Sequence, residues 1–293
     1  MTTYQSYTAE DPGLRVNSHF FETERGVVLV DTQLHLPYAE EVLEQIRSTT
    51  SGNLLYIVTT HAHPDHWYGN TIFRRAFPNV PIITCRSVSD EIQATALSRR
   101  ERWDRLFADR IPKAEDLVFP DCVFSGRLTL KLGEHTLQVD EYGPAEAGAH
   151  TVVYVEEDRT LITGDIVDNK KHPWIGERNI DNWCAILEEF RQRYRIDTIL
   201  PGHGAPGGAE LLEESSQWLD NYRTVVQKHL ESEALHLTEE GAQKAFEEIV
   251  SGYPDFFLPH WGEQTNLGIG LRKLDSSFVG NSGKPIRTAD GKM

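Results

Sequence analysis

The feature that most constrains this chain is the segment Thr60-His61-Ala62-His63-Pro64-Asp65-His66, which sets three imidazoles and a carboxylate directly behind the apolar run 54–59. That run reads as a buried strand. A loop anchored on a strand end can hold side chains in a controlled geometry. Residues one apart cannot share a face of a helix, so the H-x-H-x-D-H spacing differs from a helical HExxH zinc site. An ordinary polar surface loop would leave unexplained why four metal-binding side chains gather at one strand end.

A hydrolytic metal site keeps a position open for water and draws its remaining ligands from elsewhere in the chain. Two candidates follow in order. Thr163-Gly164-Asp165 ends one apolar run with a carboxylate able to bridge two metals, and Pro201-Gly202-His203-Gly204 ends another with an imidazole between permissive glycines. Trp67, Tyr68 and Asn70 follow the cluster, and Lys170, Lys171, His172 and Trp174 follow Asp165, so both groups are expected at the mouth of the site. Aromatic walls with a few cations suit an organic acid or ester. Leu34-His35-Leu36 is expected as an apolar lip.

The remainder reads as mixed α/β. Strands are expected at 20–21, 27–30, 54–59, 80–84, 128–132, 136–142, 151–155, 160–163 and 197–200, and helices at 37–49, 67–77, 88–110 and 181–193. From 209 onward the pattern turns helical, clearest at 211–230 and 238–250, so 209–293 is expected as a mostly helical C-terminal extension of one domain spanning 1–293. Residues 281–293 are polar and expected to be frayed.

Composition narrows the partners. A formal net charge of -16 repels a phosphate backbone, so a small molecule is expected rather than nucleic acid. The N-terminus lacks a basic and an apolar signal region and no apolar run reaches membrane-span length, making a cytoplasmic protein without membrane contact the expectation. Cys85, Cys122 and Cys184 form no CxxC pair, which argues against a thiolate metal site. Cys85 and Cys184 are expected as buried structural thiols. Oligomeric state is left open.

The order HAHPDH, then GD, then PGHG, each after a strand, resembles the metallo-β-lactamase superfamily over about residues 20 to 205. The resemblance implies a four-layer αββα sandwich with metals at the strand ends. It also implies that Asp31, in Val30-Asp31-Thr32, supports the site without binding metal.

That family usually places a further metal-binding histidine in a segment resembling GPxHTxGDxVVY. Here the segment is Gly143-Pro144-Ala145-Glu146-Ala147-Gly148-Ala149-His150-Thr151-Val152-Val153-Tyr154. Ungapped matching puts Glu146 in the ligand position, with His150 as the alternative if a gap shifts the register. A glutamate there followed by Ala-x-Ala resembles the alkyl-sulfatase branch locally, although Asp165 stands where that branch has a glutamate.

The resemblance thus implies one metal on His61, His63 and Glu146, a second on Asp65, His66 and His203, and Asp165 shared between them. Zinc is the expected ion, with manganese and ferrous iron as competitors because a carboxylate ligand is harder than imidazole. A hydroxide between the metals, oriented by Asp65, would attack a small ester, lactone, thioester, amide or sulfate ester. The alternatives are a mononuclear iron dioxygenase of the thiol-processing type and a non-catalytic binding relative.

Overall fold

The computed structural model describes residues 2–177, 179–230, 237–261 and 264–272. Its first sheet joins β1 (Tyr4–Thr8), β2 (Asn17–Thr23), β3 (Gly26–Val30), β4 (Leu54–Val58), β5 (Ile82–Cys85) and β6 (Cys122–Phe124) in sequential order. The strands β1 to β3 run antiparallel and β3 to β6 parallel. A second sheet has the order β11-β10-β9-β8-β7, from β7 (Arg127–Leu132), β8 (His135–Tyr142), β9 (His150–Val155), β10 (Thr160–Gly164) and β11 (Thr198–Pro201). Only its β10–β11 pair is parallel.

Period-two alternation explains the layers. In the first sheet Phe21, Val28, Val30, Val58 and Ile83 face the second sheet, where Leu137, Val139, Val153, Val155, Ile162 and Leu200 complete the same buried cluster. Their neighbours Phe20, Val27, Leu29, Ile57 and Ile82 face outward against α1 (Leu36–Thr49) and α3 (Asn70–Ala76). On the other side Val152, Tyr154, Leu161 and Ile199 pack against α5 (Ile180–Arg193), α6 (Glu210–His229) and α7 (Glu239–Gly252). Each fully buried Val, Leu or Ile contributes roughly 1.5–3 kcal/mol. Helices outside two facing sheets make the αββα sandwich, as expected.

Several boundaries differ from the sequence reading. The helix expected at 67–77 is two, α2 (Pro64–Trp67) and α3, so Asp65 and His66 stand on a helical turn. The break falls at Gly69, where a Cβ would run into the Thr32 carbonyl. The long helix α4 (Arg86–Phe107) gives way to a 3-10 turn at Ala108–Arg110. Strands β1 and β6 lie outside the expected set: β1 is mostly polar and half-exposed, and β6, although apolar, is only three residues long. After α7, a two-residue pair, β12 (His260–Trp261) and β13 (Gln264–Thr265), precedes α8 (Asn266–Arg272). Residues 281–293 lie outside the described residues. Cys85 is buried, Cys184 half-buried and Cys122 exposed, all three as free thiols. Among the described residues no helix is long and apolar enough to cross a membrane.

Candidate metal centre

Four strand ends bring the site together. Parallel pairing of β3 with β4 sets Val30 beside Val58, so Asp31 and Thr60 emerge side by side. Asp31 accepts from the Thr60 amide at 2.8 Å and the Thr60 hydroxyl at 2.7 Å. Its φ of 61° lies in the left-handed region, a strain held by these buried bonds. Parallel pairing of β10 with β11 likewise sets Gly164 against Pro201, placing Asp165 beside Gly202-His203. The two sheets are tied together here by the Thr151 amide, which donates to the Thr60 carbonyl at 2.6 Å.

Each inward imidazole is oriented from behind. His66 Nδ1 lies 2.7 Å from Asp31 Oδ2, His203 Nδ1 lies 2.8 Å from the Leu14 carbonyl, and His61 Nδ1 lies 3.0 Å from the Thr60 hydroxyl, which already donates to Asp31. The Nδ1 atoms are therefore donors and each Nε2 turns inward, that of His61 to 3.1 Å from His63 Nδ1. The loop carrying His203 is gripped from β2, where Asn17 donates to the carbonyls of Pro201 and Gly204 at 3.0 and 2.7 Å.

The inward atoms form two adjoining groups. Glu146 lies 3.0 Å from His63 Nδ1 and 3.5 Å from His61 Nε2. Asp65 Oδ2 lies 3.5 Å from both His66 Nε2 and His203 Nε2. Between them, Asp165 reaches His66 Nε2 at 3.2 Å and His203 Nε2 at 3.3 Å. Within each of the sets His61–His63–Glu146, Asp65–His66–His203 and His61–His66–Asp165, one donor atom per residue lies within 4.8 Å of the others. A fourth such set, Asp165–Asp168–His203, includes a carboxylate that the sequence reading missed.

His150 belongs to none of these sets. Its Nε2 accepts from the Ala147 amide at 3.0 Å, so the imidazole braces the turn that carries Glu146. Ala145 is buried against the α5–α6 core and Ala149 beneath α4. Small flanking side chains let the loop tuck in on both sides of the glutamate.

The buried charges set one another. Burial alone would raise the Asp65 and Asp165 carboxyls, but His66 and His203 hold both below the usual range, with Lys171 adding to the effect at Asp165. Burial works against a charged His203, yet Asp165 brings it up to about 9. Burial holds His61 and His63 well below the usual imidazole range. Glu146 is pushed up by burial and by Asp165. These groups lack other partners: His66 Nε2, His203 Nε2, Asp165 Oδ1 and both Glu146 oxygens are buried without a hydrogen bond. Buried imidazoles and carboxyls without other partners are a donor set that a divalent metal takes by displacing their extra protons.

The cavity over these residues has a volume of about 240 Å³. Of the side chains expected at its mouth, Lys171 and Trp174 line it. Lys171 is buried and its ammonium sits 3.0 Å from both Asp165 and Asp168. The others lie elsewhere. Trp67 and Tyr68 are buried in the core beneath α4, because helical phase turns them from the loop toward that helix. Asn70 is buried and accepts from the Thr32 hydroxyl at 3.0 Å. Lys170 is exposed, at a φ of 52°, and does not line this cavity. His172 is buried among Trp218, Tyr253 and Phe256. His35 packs between Tyr38 and Phe107, an aromatic setting in place of the expected lip. Sequence reading also missed Arg99, Arg102 and Trp103, which line the cavity from α4. Their helical spacing was legible, but not which element the helix covers.

The family model for the metallo-beta-lactamase superfamily matches residues 11–203. A metallo-beta-lactamase type 2 from Elizabethkingia meningoseptica is 21% identical over 210 residues, covering 69% of this chain and 73% of that one. A linear primary-alkylsulfatase from a Pseudomonas species is 26% identical over 228 residues, covering 66% of this chain but only 42% of the sulfatase. Among solved structures, a metallo-beta-lactamase from Pontibacter korlensis superposes with a TM-score of 0.58 at 25% identity, over 75% of this chain and 93% of the other. A sec-alkyl sulfatase double mutant superposes with a TM-score of 0.63 at 16% identity, over 94% of this chain and 49% of the other, a likeness of fold. With the sandwich and the gathered donors, the match over residues 11–203 makes this chain a member of the metallo-β-lactamase superfamily.

Proposed function

We propose that the protein is a metal-dependent hydrolase with a dinuclear site, one divalent cation held by His61, His63 and Glu146, the other by Asp65, His66 and His203, with Asp165 between them. The observation that carries this reading is the pair of adjoining donor triads, whose inward atoms are buried and in large part without hydrogen bonds. Leaving such groups unpaired costs about 1–3 kcal/mol each, and a bound cation removes that cost. Zinc suits the imidazoles, and the three carboxylates make manganese and ferrous iron competitors.

When bound, the cations supply Lewis-acid polarisation of the scissile group and a water of lowered pKa. The protein's own residues arrange the rest. Asp65 lines the cavity as a carboxylate and can accept a hydrogen bond from an incoming water, turning its lone pair toward the substrate. Lys171 pairs with Asp165 and Asp168 and so offsets part of the negative charge of the cavity floor. A cavity of about 240 Å³ admits a small ester, lactone, thioester, amide or sulfate ester. A net charge of -16 favours such a small molecule over nucleic acid.

Metal analysis of the purified protein, combined with a screen over those five substrate types, tests the reading. Two divalent ions per chain, and hydrolysis lost on chelation and regained on adding metal, are expected. One iron with oxygen consumption on a thiol substrate would point to a dioxygenase. A metal-free protein without turnover would point to a binding relative.

A further inference from the structure

We propose that Arg102 selects substrates that carry an anionic group remote from the scissile bond, joined to it by a short apolar segment. This rests on the hydrolase reading and names the substrate class that the site prefers.

The cavity has two unlike walls. One is the buried donor set; the other is a stripe of α4 made by Thr95, Ser98, Arg99 and Arg102, spaced i, i+3, i+4 and i+7, so that all four share one helix face. Arg99 is already engaged. Its guanidinium donates to the Ala62 carbonyl at 2.5 Å and to Glu91 at 2.9 Å, and Glu177 on the cavity rim acts on that same Glu91.

Arg102 stands one turn further along, about 5 Å of helix rise away. It is exposed, and no ion pair or hydrogen bond joins it to any described residue. On the same helix Arg86, Arg99 and Arg100 pair with Asp90, Glu91 and Asp104, and Arg105, unpaired like Arg102 among the described residues, does not line the cavity. In a chain with 45 acidic residues and 29 basic ones, an arginine left unpaired at the edge of a cavity is available to a ligand.

Two indoles fill the space beside it. Trp103 and Trp174 line the same cavity, each less than a tenth exposed. Their rings offer an apolar surface for the carbon segment between scissile bond and charge. A planar guanidinium matches a carboxylate or a sulfonate through two parallel hydrogen bonds. The shared chemistry is therefore an organic oxyanion at the end of a short apolar stem, from either source.

The test compares wild type, Arg102→Gln and Arg102→Glu in two assays. Hydrolysis of the monophenyl ester of glutaric acid is measured against phenyl pentanoate, and binding of phenylbutyrate and phenylpropanesulfonate is titrated calorimetrically against phenylbutanamide. Wild type is expected to prefer the anions in both assays. The anion-to-neutral ratio should fall about fivefold in Arg102→Gln, the size of a partly exposed ion pair, and further in Arg102→Glu. The larger fall among the two anions identifies the source. An equal preference in all three proteins, or none in wild type, overturns the proposal. If neither ester is cleaved, the calorimetric arm decides the role of Arg102, and the hydrolase reading stands or falls separately on metal content and the screen of all five substrate types.

Discussion

Asp31 Oδ2 lies 2.7 Å from His66 Nδ1, and the same carboxylate binds the amide and hydroxyl of Thr60, the residue before His61. One buried side chain thus orients two of the inward imidazoles. Asp31→Asn keeps the shape but removes the charge that favours the Nδ1–H tautomer of His66. Metal affinity is expected to fall about 10- to 100-fold, measured by competition with a chromophoric chelator, with little change in the fold by circular dichroism. Unchanged affinity would count against Asp31 as an orienting group.

Glu146 and His150 separate by role. Glu146→Ala is expected to lose one metal per chain, whereas His150→Ala keeps both metals and loosens the loop through the freed Ala147 amide. Glu146→His should retain metal and shift the preference toward zinc. Metal lost on removing His150 and kept on removing Glu146 would show that the glutamate is not a ligand.

Lys171 is buried between Asp165 and Asp168. Lys171→Met leaves Asp168 without a paired cation among the described residues, while Asp165 keeps His66 and His203, and is expected to destabilise the metal-free protein by about 3–5 kcal/mol, read from urea unfolding. Adding Asp168→Asn should restore part of that loss. If the double variant is no more stable than the single one, the Asp168 pairing contributes nothing.

His35 gives a pH dependence whose sign is fixed. Burial lowers its pKa to about 4 from the ordinary 6.5 of a histidine, and both ring nitrogens lack hydrogen bonds. Between those values the unfolded chain binds the extra proton, so stability is full above pH 6.5 and is lost as pH falls toward 4. His172, also lowered to about 4 by burial, acts in the same sense. His35→Phe should flatten the metal-free protein's stability profile in this window by up to about 1.4 kcal/mol per pH unit. A variant profile parallel to wild type would rule this out.

Much of the site was legible in the chain because its signals are local. His61, His63, Asp65 and His66 fall within six residues behind one apolar run, Asp165 and His203 end others, and ungapped spacing singled out Glu146. The apolar runs holding Val152-Val153 and Leu161-Ile162 likewise marked strands, and the structure buries one residue of each pair in either core. Which side chains look into the cavity could be decided only by packing. Lys170 and Lys171 are adjacent in sequence, yet one is exposed and the other sits 3.0 Å from two buried carboxylates. Trp67 and Tyr68 follow the metal-site motif but face the core, while Arg99 and Arg102 reach the cavity from a helix that the sequence places far from it. Strand and helix periods specify a face, and only the docking of one element on another decides what that face meets.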